Sequence, residues 1–481
     1  MSNLDHRTSA KASVQNAVAE IKSALDPDAW STDPGVIDPL MVDSRNIYHG
    51  KCALLARPAT VEDVAKVVKI CAANKVSIVP QGGNTGRVGG ATPDASGNQI
   101  ALSLTRMNRI RAVDPADYSI TVEAGCILQD VQHAASEADR LFPLSLGAEG
   151  SCTIGGNIAS NAGGINVLRY GNTRDLVLGL EAVLPDGEIW NGLNSLRKNN
   201  AGYDLKQLLI GSEGTLGIIT AATLKLFPKL NEHATAFCAL ASLDGCLDLL
   251  ERARTASGDG LVSFELLAGI TLETAFEHVP AAKRPMSDIA EWSVLLEFGG
   301  SGNDGAMQAA MAGMLESAFE DGLVADAAIA QSEQQRKDIW FLREAIVDAQ
   351  LKSGPSTKHD ISVPVSLVPA FLRNAAAALD DYMPGVQPYP FGHVGDGNLH
   401  YNVTAPPGMT ADAFEDEIDA IHGIVHDITA KFGGSFSAEH GVGQSKRGEM
   451  LRYKSATELS LMRKLKDAID PSGLFNPGKV L

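Results

Sequence analysis

Two histidines in the second half of the chain, His393 and His400, flank the short segment VGDGNL. If Gly395–Asn398 forms a four-residue turn between two strands, His393 faces His400 across the hairpin. Asn402 then lies on the same face as His400, because side chains alternate along a strand. The spacing predicts two imidazoles side by side, although an ordinary turn flanked by two histidines explains the same pattern without a ligand.

Glu439, in the sequence SAEHGVG, would add a carboxylate to this pair. Two imidazoles and one carboxylate suit Zn²⁺ or a similar divalent cation and leave one coordination position open. A hydrolase uses such a set as readily as an oxidoreductase does, so the ligands alone do not define a reaction. A surface carboxylate is the competing interpretation of Glu439.

His440 directly follows Glu439, and adjacent side chains on a strand point to opposite faces. Gly441 permits a loop in which both side chains turn toward one cavity. An imidazole there suits a general base, because its pKa lies near the operating pH of most enzymes. A solvated histidine beside a glycine turn is equally compatible with the residues alone.

Arg343 and Lys358 are cations that would suit a carboxylate substrate. The guanidinium of Arg343 offers a planar fork for two parallel hydrogen bonds, and Lys358 offers a point charge. Taken singly, each cation also fits an ordinary surface charge.

Three glycine-dense segments lie in the first half of the chain: Pro80–Gly90, Ser151–Gly164 and Gly211–Gly217. Such a backbone reaches positive φ and brings N–H groups close to a bulky anion without a Cβ in the way. Three of these segments favour one large ligand, such as a pyrophosphate compound, over three unrelated turns. None has the G-x-G-x-x-G spacing or the G-K-S/T ending, so an NAD-type site or an NTPase is not supported.

The order of the motifs PQGGNTGRVGG, IGGNIASNAGG, YGNTRDLVLGLEAVLPDG and GYDLKQLLIGSEGTLGIIT resembles that of the FAD-binding family typified by vanillyl-alcohol oxidase. Within that family the chain is most similar to the D-2-hydroxy-acid dehydrogenases, including D-lactate and D-2-hydroxyglutarate dehydrogenases. The resemblance implies an α+β fold. It comprises a two-subdomain FAD-binding domain of the vanillyl-alcohol-oxidase type, an α+β substrate domain and a C-terminal helical segment.

The resemblance assigns FAD binding to the glycine segments and to one residue near the C-terminus. These positions are Pro80, Gly82, Gly83, Asn84, Thr85, Gly86, Gly90, Gly155, Gly156, Asn157, Ser160, Asn161, Ala162, Gly164, Gly217, Ile218 and Asn476. Some relatives attach the flavin through a histidine in the first segment, which contains none here. We therefore expect non-covalent FAD.

The resemblance also implies FAD-dependent oxidation of a D-2-hydroxy acid to a 2-oxo acid, assisted by a divalent metal that we expect to be Zn²⁺. The implied metal ligands are His393, His400 and Glu439, and the implied substrate-binding residues are Arg343, Lys358 and Asn402. His440 would take the hydroxyl proton while a hydride passes to the flavin N5. The electrons would go to an acceptor other than NAD, such as an electron-transfer flavoprotein, a quinone or a cytochrome.

Val347 departs from the 2-hydroxyglutarate-specific relatives, in which we expect a threonine one helical turn after Arg343. Valine cannot donate a hydrogen bond to a distal carboxylate, which favours D-lactate or a more hydrophobic D-2-hydroxy acid. Two other functions remain: a metal-dependent hydrolase, which would be colourless, and a non-catalytic flavin-holding subunit, whose flavin no 2-hydroxy acid would bleach.

The bulk properties narrow the class of protein. A net charge of −18 over 481 residues argues against general binding to nucleic acid or an anionic membrane. The six cysteines are scattered, without a C-x-x-C pair, and indicate reduced thiols. The N-terminus lacks a signal-peptide core, and no window reaches the ~18–20 apolar residues of a membrane span. We expect a cytoplasmic protein, and a homodimer is compatible with the sequence.

Hydrophobic periodicity predicts the elements that position these residues, including strand Ser119–Glu123, helix Leu128–Glu137, helix Asp338–Leu351 and a helix over Glu415–Phe432. We place an N-terminal helix and connector at 1–47, the FAD-binding domain at 48–228 and the substrate-binding domain at 229–425. A C-terminal helical segment carrying part of the active site follows at 426–481.

Overall fold

The computed structural model describes the backbone of residues 2–481 and the side chains of residues 11–481. The chain divides into two compact units. Unit 1 comprises Met1–Gly164, Gly171–Pro228 and Glu439–Leu481, and unit 2 comprises Ile165–Tyr170 and Lys229–Ala438. Unit 2 therefore interrupts the sequence of unit 1, which resumes at Glu439.

The strands of the described residues are numbered in chain order. They are β1 (Trp30–Ser31), β2 (Leu54–Ala56), β3 (Ile78–Gln81), β4 (Ile100–Ser103), β5 (Ile110–Asp114), β6 (Ser119–Glu123), β7 (Arg140–Leu141), β8 (Val177–Val183), β9 (Ile189–Asn191), β10 (Ile218–Lys225), β11 (Phe227–Pro228), β12 (Glu232–Leu240), β13 (Leu261–Ala268), β14 (Trp292–Gly300), β15 (Val324–Ile329), β16 (Ser356–Thr357), β17 (Asp360–Ser362), β18 (Gln387–Gly392) and β19 (Asn398–Thr404).

The α-helices are numbered in the same way. They are α1 (Ser2–Ala24), α2 (Pro34–Ile37), α3 (Val61–Asn74), α4 (Leu128–Glu137), α5 (Ile154–Ser160), α6 (Val167–Tyr170), α7 (Thr173–Leu176), α8 (Lys206–Leu209), α9 (Gly245–Ser257), α10 (Gly269–His278), α11 (Ala306–Glu320), α12 (Glu333–Gln350), α13 (Val368–Tyr382), α14 (Ala411–Glu415), α15 (Ile418–Lys431), α16 (Arg447–Tyr453) and α17 (Ala456–Ile469). Short 3₁₀ helices occur at Pro27–Ala29, Asp38–Leu40 and Val365–Leu367. In the part of the chain that the structure describes, no helix is both long and apolar enough to cross a bilayer.

Unit 1 contains two main sheets. The first has the order β1-β2-β4-β3, with β2, β4 and β3 parallel. The second is antiparallel, in the order β5-β6-β10-β8-β9. Near the C-terminus, Phe475 forms a parallel bridge to Ile78, so the end of the chain extends the first sheet. The first glycine segment begins where β3 ends.

Unit 2 is built on an eight-stranded sheet of order β15-β12-β14-β13-β18-β19-β16, in which β17 also pairs with β19. One face, here called the α13 face, packs Phe264, Leu399 and Tyr401 against α9, α11, α13 and α15. The other, the α12 face, packs Leu267 and Phe391 against α10 and α12. Mixed helices and antiparallel sheets in both units confirm the α+β class.

Three elements differ from the sequence prediction. The second glycine segment contains α5 rather than only a loop, and a Cβ at its Gly155 would lie 2.7 Å from Ala124 Cβ. Glycine there is required for close packing and not for flexibility. The helix α12 begins five residues before Asp338, because Ser332 caps it by accepting the Gln335 N–H at 3.2 Å. The segment predicted as one helix over 415–432 instead comprises the end of α14 and α15.

Candidate functional site

The first glycine segment of unit 1 is held by the preceding residues 40–44. Gln81 Nε2 donates to the Leu40 carbonyl at 2.8 Å, and Asn84 Nδ2 donates to the Val42 carbonyl at 2.7 Å. The Ser44 hydroxyl donates to the Gly86 carbonyl at 2.8 Å. Hydrogen bonds between its side chains or carbonyls and residues 40–44 thus fix the position of the segment.

The first and second glycine segments pack directly on each other. A Cβ at Gly82 would lie 2.3 Å from Thr153 Oγ1, and one at Gly83 would lie 2.1 Å from the Ser151 carbonyl oxygen. Both distances are shorter than real Cβ contacts. Any side chain at either glycine would therefore separate the two segments.

Two other glycines have open space instead. A Cβ at Gly86 would meet no described atom within 4 Å, and one at Gly156 would only approach Thr153 Oγ1 at 3.6 Å. Glycine is not needed there for the packing of the protein itself. These positions leave room for a bulky ligand to approach the backbone.

The second segment ends in a left-handed turn. Asn161 has φ 50°, and its Oδ1 accepts the Arg174 N–H at 2.9 Å. The Thr173 hydroxyl donates to the Ala162 carbonyl at 2.8 Å. Gly164 has φ 122°, a conformation that favours glycine. Two further predicted positions lie in the same segment. Asn157 is buried, and the Ser160 hydroxyl donates to the Gly156 carbonyl.

The third glycine segment is joined to the residues after His440 through Glu213. The Glu213 carboxylate accepts the N–H groups of Val442 and Gly443, each at 2.7 Å. Burial raises the pKa of Glu213, although these two bonds act in the opposite direction. Asn476 Nδ2 donates to the carbonyls of Glu213 at 2.8 Å and Gly90 at 2.9 Å, which ties the third segment to the first.

Four buried side-chain oxygens on or beside these segments have no hydrogen-bond partner among the described residues: Thr92 Oγ1, Thr153 Oγ1, Ser212 Oγ and Asn476 Oδ1. An unsatisfied buried polar group costs about 1–3 kcal/mol. A ligand rich in phosphate and hydroxyl groups would supply the partners. The segments therefore fit FAD.

Two further predicted FAD positions lie where β10 begins. Gly217 precedes the strand and packs against Leu209, and Ile218 is the first residue of the strand.

The two predicted histidine ligands lie in unit 2, where the hairpin register differs from the prediction. Phe391 pairs with His400, β18 ends at Gly392, and His393 begins the turn. The prediction that His393 pairs with His400 is wrong because Gly392, with φ 145°, turns the chain earlier. The two rings still lie near each other, with centroids 5.6 Å apart and planes at 76°.

A residue that the sequence analysis missed, Glu265 on β13, joins two predicted site residues. Its Oε1 accepts from His393 Nδ1 at 2.5 Å, and its Oε2 accepts from Arg343 Nε at 2.7 Å. Burial would raise the pKa of the Glu265 carboxyl, but His393 and Arg343 outweigh it and lower the pKa to about 2. Arg343 is itself buried and lies over the Phe391 ring, 4.8 Å from its centroid, so the surface interpretation is wrong.

Asp360 on β17 lies opposite His400 on β19. Asn398 Nδ2 donates to Asp360 Oδ1 at 3.0 Å, and the Ala438 N–H donates to the Asp360 carbonyl at 3.1 Å. Lys358, two residues earlier, is half-buried between β16 and β17. The last residue of unit 2 is therefore anchored beside the strand that pairs with His400.

Glu439 and His440 follow Ala438 directly and belong to unit 1. Both are partly exposed, and His440 Nε2 lies 4.0 Å from Glu439 Oε1. Gly441 has φ 80°, as a sharp turn after these residues requires. The two side chains are thus neighbours on one segment. Glu213 fixes this segment by accepting the N–H groups of Val442 and Gly443.

Asn402 and Val347 lie on the α12 side of unit 2. Asn402 Nδ2 donates to Gln350 Oε1 at 2.5 Å, and both side chains are buried. The Gln350 Nε2 has no hydrogen-bond partner among the described residues. Val347 packs against the apolar cluster between the sheet and α12, one turn after Arg343. A polar contact from Asn402 to a substrate would use its Oδ1 or the second hydrogen of its Nδ2.

Comparison with known proteins decides the family. Residues 52–192 match the family model "FAD binding domain", and residues 229–480 match "FAD linked oxidases, C-terminal domain". The chain belongs to the FAD-linked oxidase family. The resemblance drawn from the glycine motifs is confirmed, and FAD is the cofactor of this family's binding domain.

Curated relatives narrow the activity. The chain is 40% identical over 463 residues to a D-2-hydroxyglutarate dehydrogenase of Xanthomonas citri pv. viticola, covering 96% of each protein. It is 38% identical over 458 residues to the mitochondrial D-2-hydroxyglutarate dehydrogenase of Danio rerio, covering 95% of this chain and 84% of that protein. It is 35% identical to a Schizosaccharomyces pombe protein named provisionally as a mitochondrial D-lactate dehydrogenase, covering 95% and 87%. The protein is an FAD-linked hydroxy-acid dehydrogenase.

Solved structures agree on the fold. p-Cresol methylhydroxylase superimposes with a TM-score of 0.74 at 16% identity, covering 97% of this chain and 96% of that one. Alkyldihydroxyacetonephosphate synthase gives a TM-score of 0.71 at 18% identity, covering 96% and 86%. The predicted architecture of the vanillyl-alcohol-oxidase type is confirmed.

Proposed function

We propose that the protein oxidises a D-2-hydroxy acid to the 2-oxo acid with the help of a divalent cation, Zn²⁺. The observation that carries the proposal is the single buried carboxylate of Glu265, which binds both Arg343 and His393. The Glu265 carboxylate thereby orients both the guanidinium of Arg343, which suits a substrate carboxylate, and the imidazole of His393, which suits a metal ion. When bound, FAD supplies a hydride acceptor and the cation supplies a Lewis acid.

Arg343 would bind the substrate carboxylate. Glu265 accepts from its Nε, so the two terminal amino groups are those directed to the substrate in this proposal. Burial strengthens such a contact because water does not compete. Lys358, on the connection between β16 and β17, would add a second positive charge.

His393, His400 and Glu439 would hold the cation. His393 Nδ1 is bound to Glu265, which leaves Nε2 as the ligand nitrogen, and a carboxylate on the second ring nitrogen is the usual partner of a metal-binding histidine. Glu439 is supported by covalent continuity, since it follows Ala438, whose N–H is bound to the residue opposite His400. Successive Cα atoms lie only about 3.8 Å apart.

His440 would accept the proton of the 2-hydroxyl. Loss of that proton, with a hydride from C2, converts the hydroxy acid to the oxo acid. An imidazole on a segment fixed by Glu213 suits a general base, which contributes roughly 10²–10⁴ to turnover. The His440→Gln variant should lose activity by that factor and keep its FAD.

The substrate, the acceptor and the compartment belong to the same proposal. Two of the relatives above are named for D-2-hydroxyglutarate, whereas Val347 favours D-lactate or a more hydrophobic acid. We propose an electron-transfer flavoprotein, a quinone or a cytochrome as acceptor. A cytoplasmic location remains our prediction, and the zebrafish relative is named as mitochondrial.

An anaerobic absorbance titration tests the reaction. The oxidised flavin band of the purified protein is followed while D-lactate, D-2-hydroxyglutarate or D-malate is added, with the L-enantiomers as controls, before and after treatment with a chelator. Bleaching by one D-acid that chelation abolishes and Zn²⁺ restores is the expected result. Bleaching that chelation does not affect would overturn metal assistance, and a flavin that no D-acid bleaches would overturn the substrate class.

A further inference from the structure

Three histidines of unit 2 that have no role in the proposed reaction lie together on the α13 face. His359 is on the connection between β16 and β17, and His422 and His426 are one turn apart on α15. One ring nitrogen from each lies within 4.8 Å of the others. His359 and His426 are buried residues, with 2% and 4% of their surface exposed, whereas His422 is half-buried.

The hydrogen bonds of His359 fix which nitrogen faces its neighbours. His359 Nδ1 lies 2.8 Å from the Tyr401 carbonyl oxygen, which can only accept, so Nδ1 carries the proton. In the neutral ring the lone pair is then on Nε2, which lies 2.9 Å from His422 Nδ1. A ring whose far nitrogen donates to a backbone carbonyl is the usual arrangement for a histidine that binds a metal.

The second ring has a similar outer partner. His422 Nε2 lies 3.0 Å from the Thr357 hydroxyl oxygen. That hydroxyl donates when His422 is protonated at Nδ1 and accepts when the proton is at Nε2. A shift of the His422 proton from Nδ1 to Nε2 would therefore free Nδ1 toward His359 while keeping Nε2 hydrogen-bonded. No net proton is gained or lost in this shift.

We propose that His359, His422 and His426 bind a divalent transition-metal ion, Zn²⁺, at a second metal site. Zinc–nitrogen distances of about 2.0–2.1 Å place tetrahedral ligand nitrogens roughly 3.4 Å apart. The three nitrogens lie within 4.8 Å of one another, so the longest separation would have to shorten by at most about 1.4 Å. The 2.9 Å contact between His359 and His422 would open slightly. Three neutral imidazoles leave one position for water, as in other three-histidine zinc sites.

This site is distinct from the one proposed at His393 and His400. His400 is paired with Phe391 of the α12 face, and the two ring centroids are 5.1 Å apart. The next residue, Tyr401, packs with the α13 face, and its backbone carbonyl accepts from His359 Nδ1. The new site joins α15 to the connection that carries Lys358. Metal binding there would stabilise unit 2, because an ion that binds only the folded chain shifts the folding equilibrium.

The test counts Zn²⁺ on the FAD-loaded protein. Chelator-treated wild type, His422→Gln/His426→Gln and the control His133→Gln, an exposed histidine of α4, are titrated with Zn²⁺ by calorimetry and analysed for metal after gel filtration. The double variant should bind one equivalent fewer than wild type, with a smaller rise in Tm on adding Zn²⁺, whereas His133→Gln should match wild type. Equal stoichiometry in all three proteins would overturn the proposal.

Two further arms separate this site from the proposed active site and from a folding defect. His393→Asn/His400→Asn should retain the equivalent that the first double variant loses; loss of both equivalents would overturn independence. On the wild-type protein, Zn²⁺ should protect His422 from diethylpyrocarbonate, as mapped by mass spectrometry. Modification of His422 that is unchanged by Zn²⁺ would overturn the proposal even if the variants fail to fold.

Discussion

Arg343 and Glu265 form a buried ion pair in unit 2, with Arg343 Nε 2.7 Å from Glu265 Oε2 and residue exposures of 7% and 1%. Taking both charges out of water is costly, and removing one partner leaves the other unpaired. The second oxygen of the same carboxylate binds His393. A change at Glu265 should therefore affect anion binding, metal binding and stability at once.

The Glu265→Gln variant keeps the volume of the side chain but loses its charge and one acceptor oxygen. It should lower the free energy of unfolding by about 3–5 kcal/mol, the cost of breaking a buried pair. Zinc affinity at His393 should fall about 10- to 100-fold, as for other lost partners of metal-binding histidines. Urea unfolding and Zn²⁺ titration measure both. The exposed Glu273→Gln is the control, and matching results for the two variants would contradict the role of Glu265.

The two classes of glycine in the FAD-binding segments should respond differently to alanine. Gly86→Ala should leave the unfolding of the FAD-free protein unchanged, because its Cβ meets no described atom, and should weaken FAD binding. An overpacking cost of about 1–3 kcal/mol corresponds to roughly 5- to 150-fold in affinity. Gly83→Ala should destabilise the FAD-free protein as well.

The matched control for these glycines is Gly448→Ala, at an open position of the helix α16. Fluorescence titration with FAD and thermal unfolding of the FAD-free proteins are the measurements. If Gly86→Ala and Gly448→Ala bind FAD equally well, the space at Gly86 does not belong to the cofactor.

Glu213 should act as a positioning residue for His440. Glu213→Ala removes the acceptor of the N–H groups of Val442 and Gly443, the second and third residues after His440. A displacement of about 1 Å in a catalytic group can lower the rate about 100-fold. We expect kcat to fall by that order with little change in KM or FAD content. Glu213→Gln, which keeps one acceptor, should recover part of the loss, and the exposed Glu188→Ala should behave as wild type. A fall in FAD content that parallels the fall in kcat would show a merely structural role.

Val347→Thr tests the specificity prediction. The substitution conserves volume and adds a hydroxyl group that can donate to a distal carboxylate. One hydrogen bond of about 0.5–1.5 kcal/mol should raise kcat/KM for D-2-hydroxyglutarate relative to D-lactate by roughly 2- to 12-fold. The exposed Val36→Thr serves as control. An unchanged ratio would mean that this position does not contact the substrate.

Denaturation should release the flavin. Because the segment Pro80–Gly90 offers no histidine for attachment, acid precipitation should leave a colourless pellet and a yellow supernatant. Absorbance of the two fractions at the flavin band gives the result. Flavin that stays with the polypeptide would show a covalent bond from another residue.

Hydrophobic periodicity predicted the bounds of an element correctly where a single period ran through the element without interruption. The strand β6 and the helix α4 have the predicted bounds, because alternation in one and a 3.6-residue period in the other were uninterrupted. The glycine motifs likewise indicated the cofactor. In each case the information lies within about a dozen neighbouring residues.

The rest depended on contacts that local patterns do not contain. Glu265 lies 128 residues before His393, and the pairing of β13 with β18 brings the two together. A glutamate inside the apolar run of β13 was the signal that could have identified it, because a charge in a buried strand requires a partner. The hairpin register was mispredicted because Gly392, with φ 145°, ends β18 one residue before His393, and the alternation of side chains does not reveal that backbone conformation.

Because unit 2 interrupts the sequence of unit 1, the two units become complete at different times during synthesis. Asn476 joins the first and third glycine segments, and the Ile78 N–H donates to the carbonyl of Leu474. A ribosome that has translated the three glycine segments has therefore not yet made the residues that lock them together. Unit 2 is complete in sequence at Ala438, so it can fold on the nascent chain first, and the flavin pocket closes only after residue 476 has emerged.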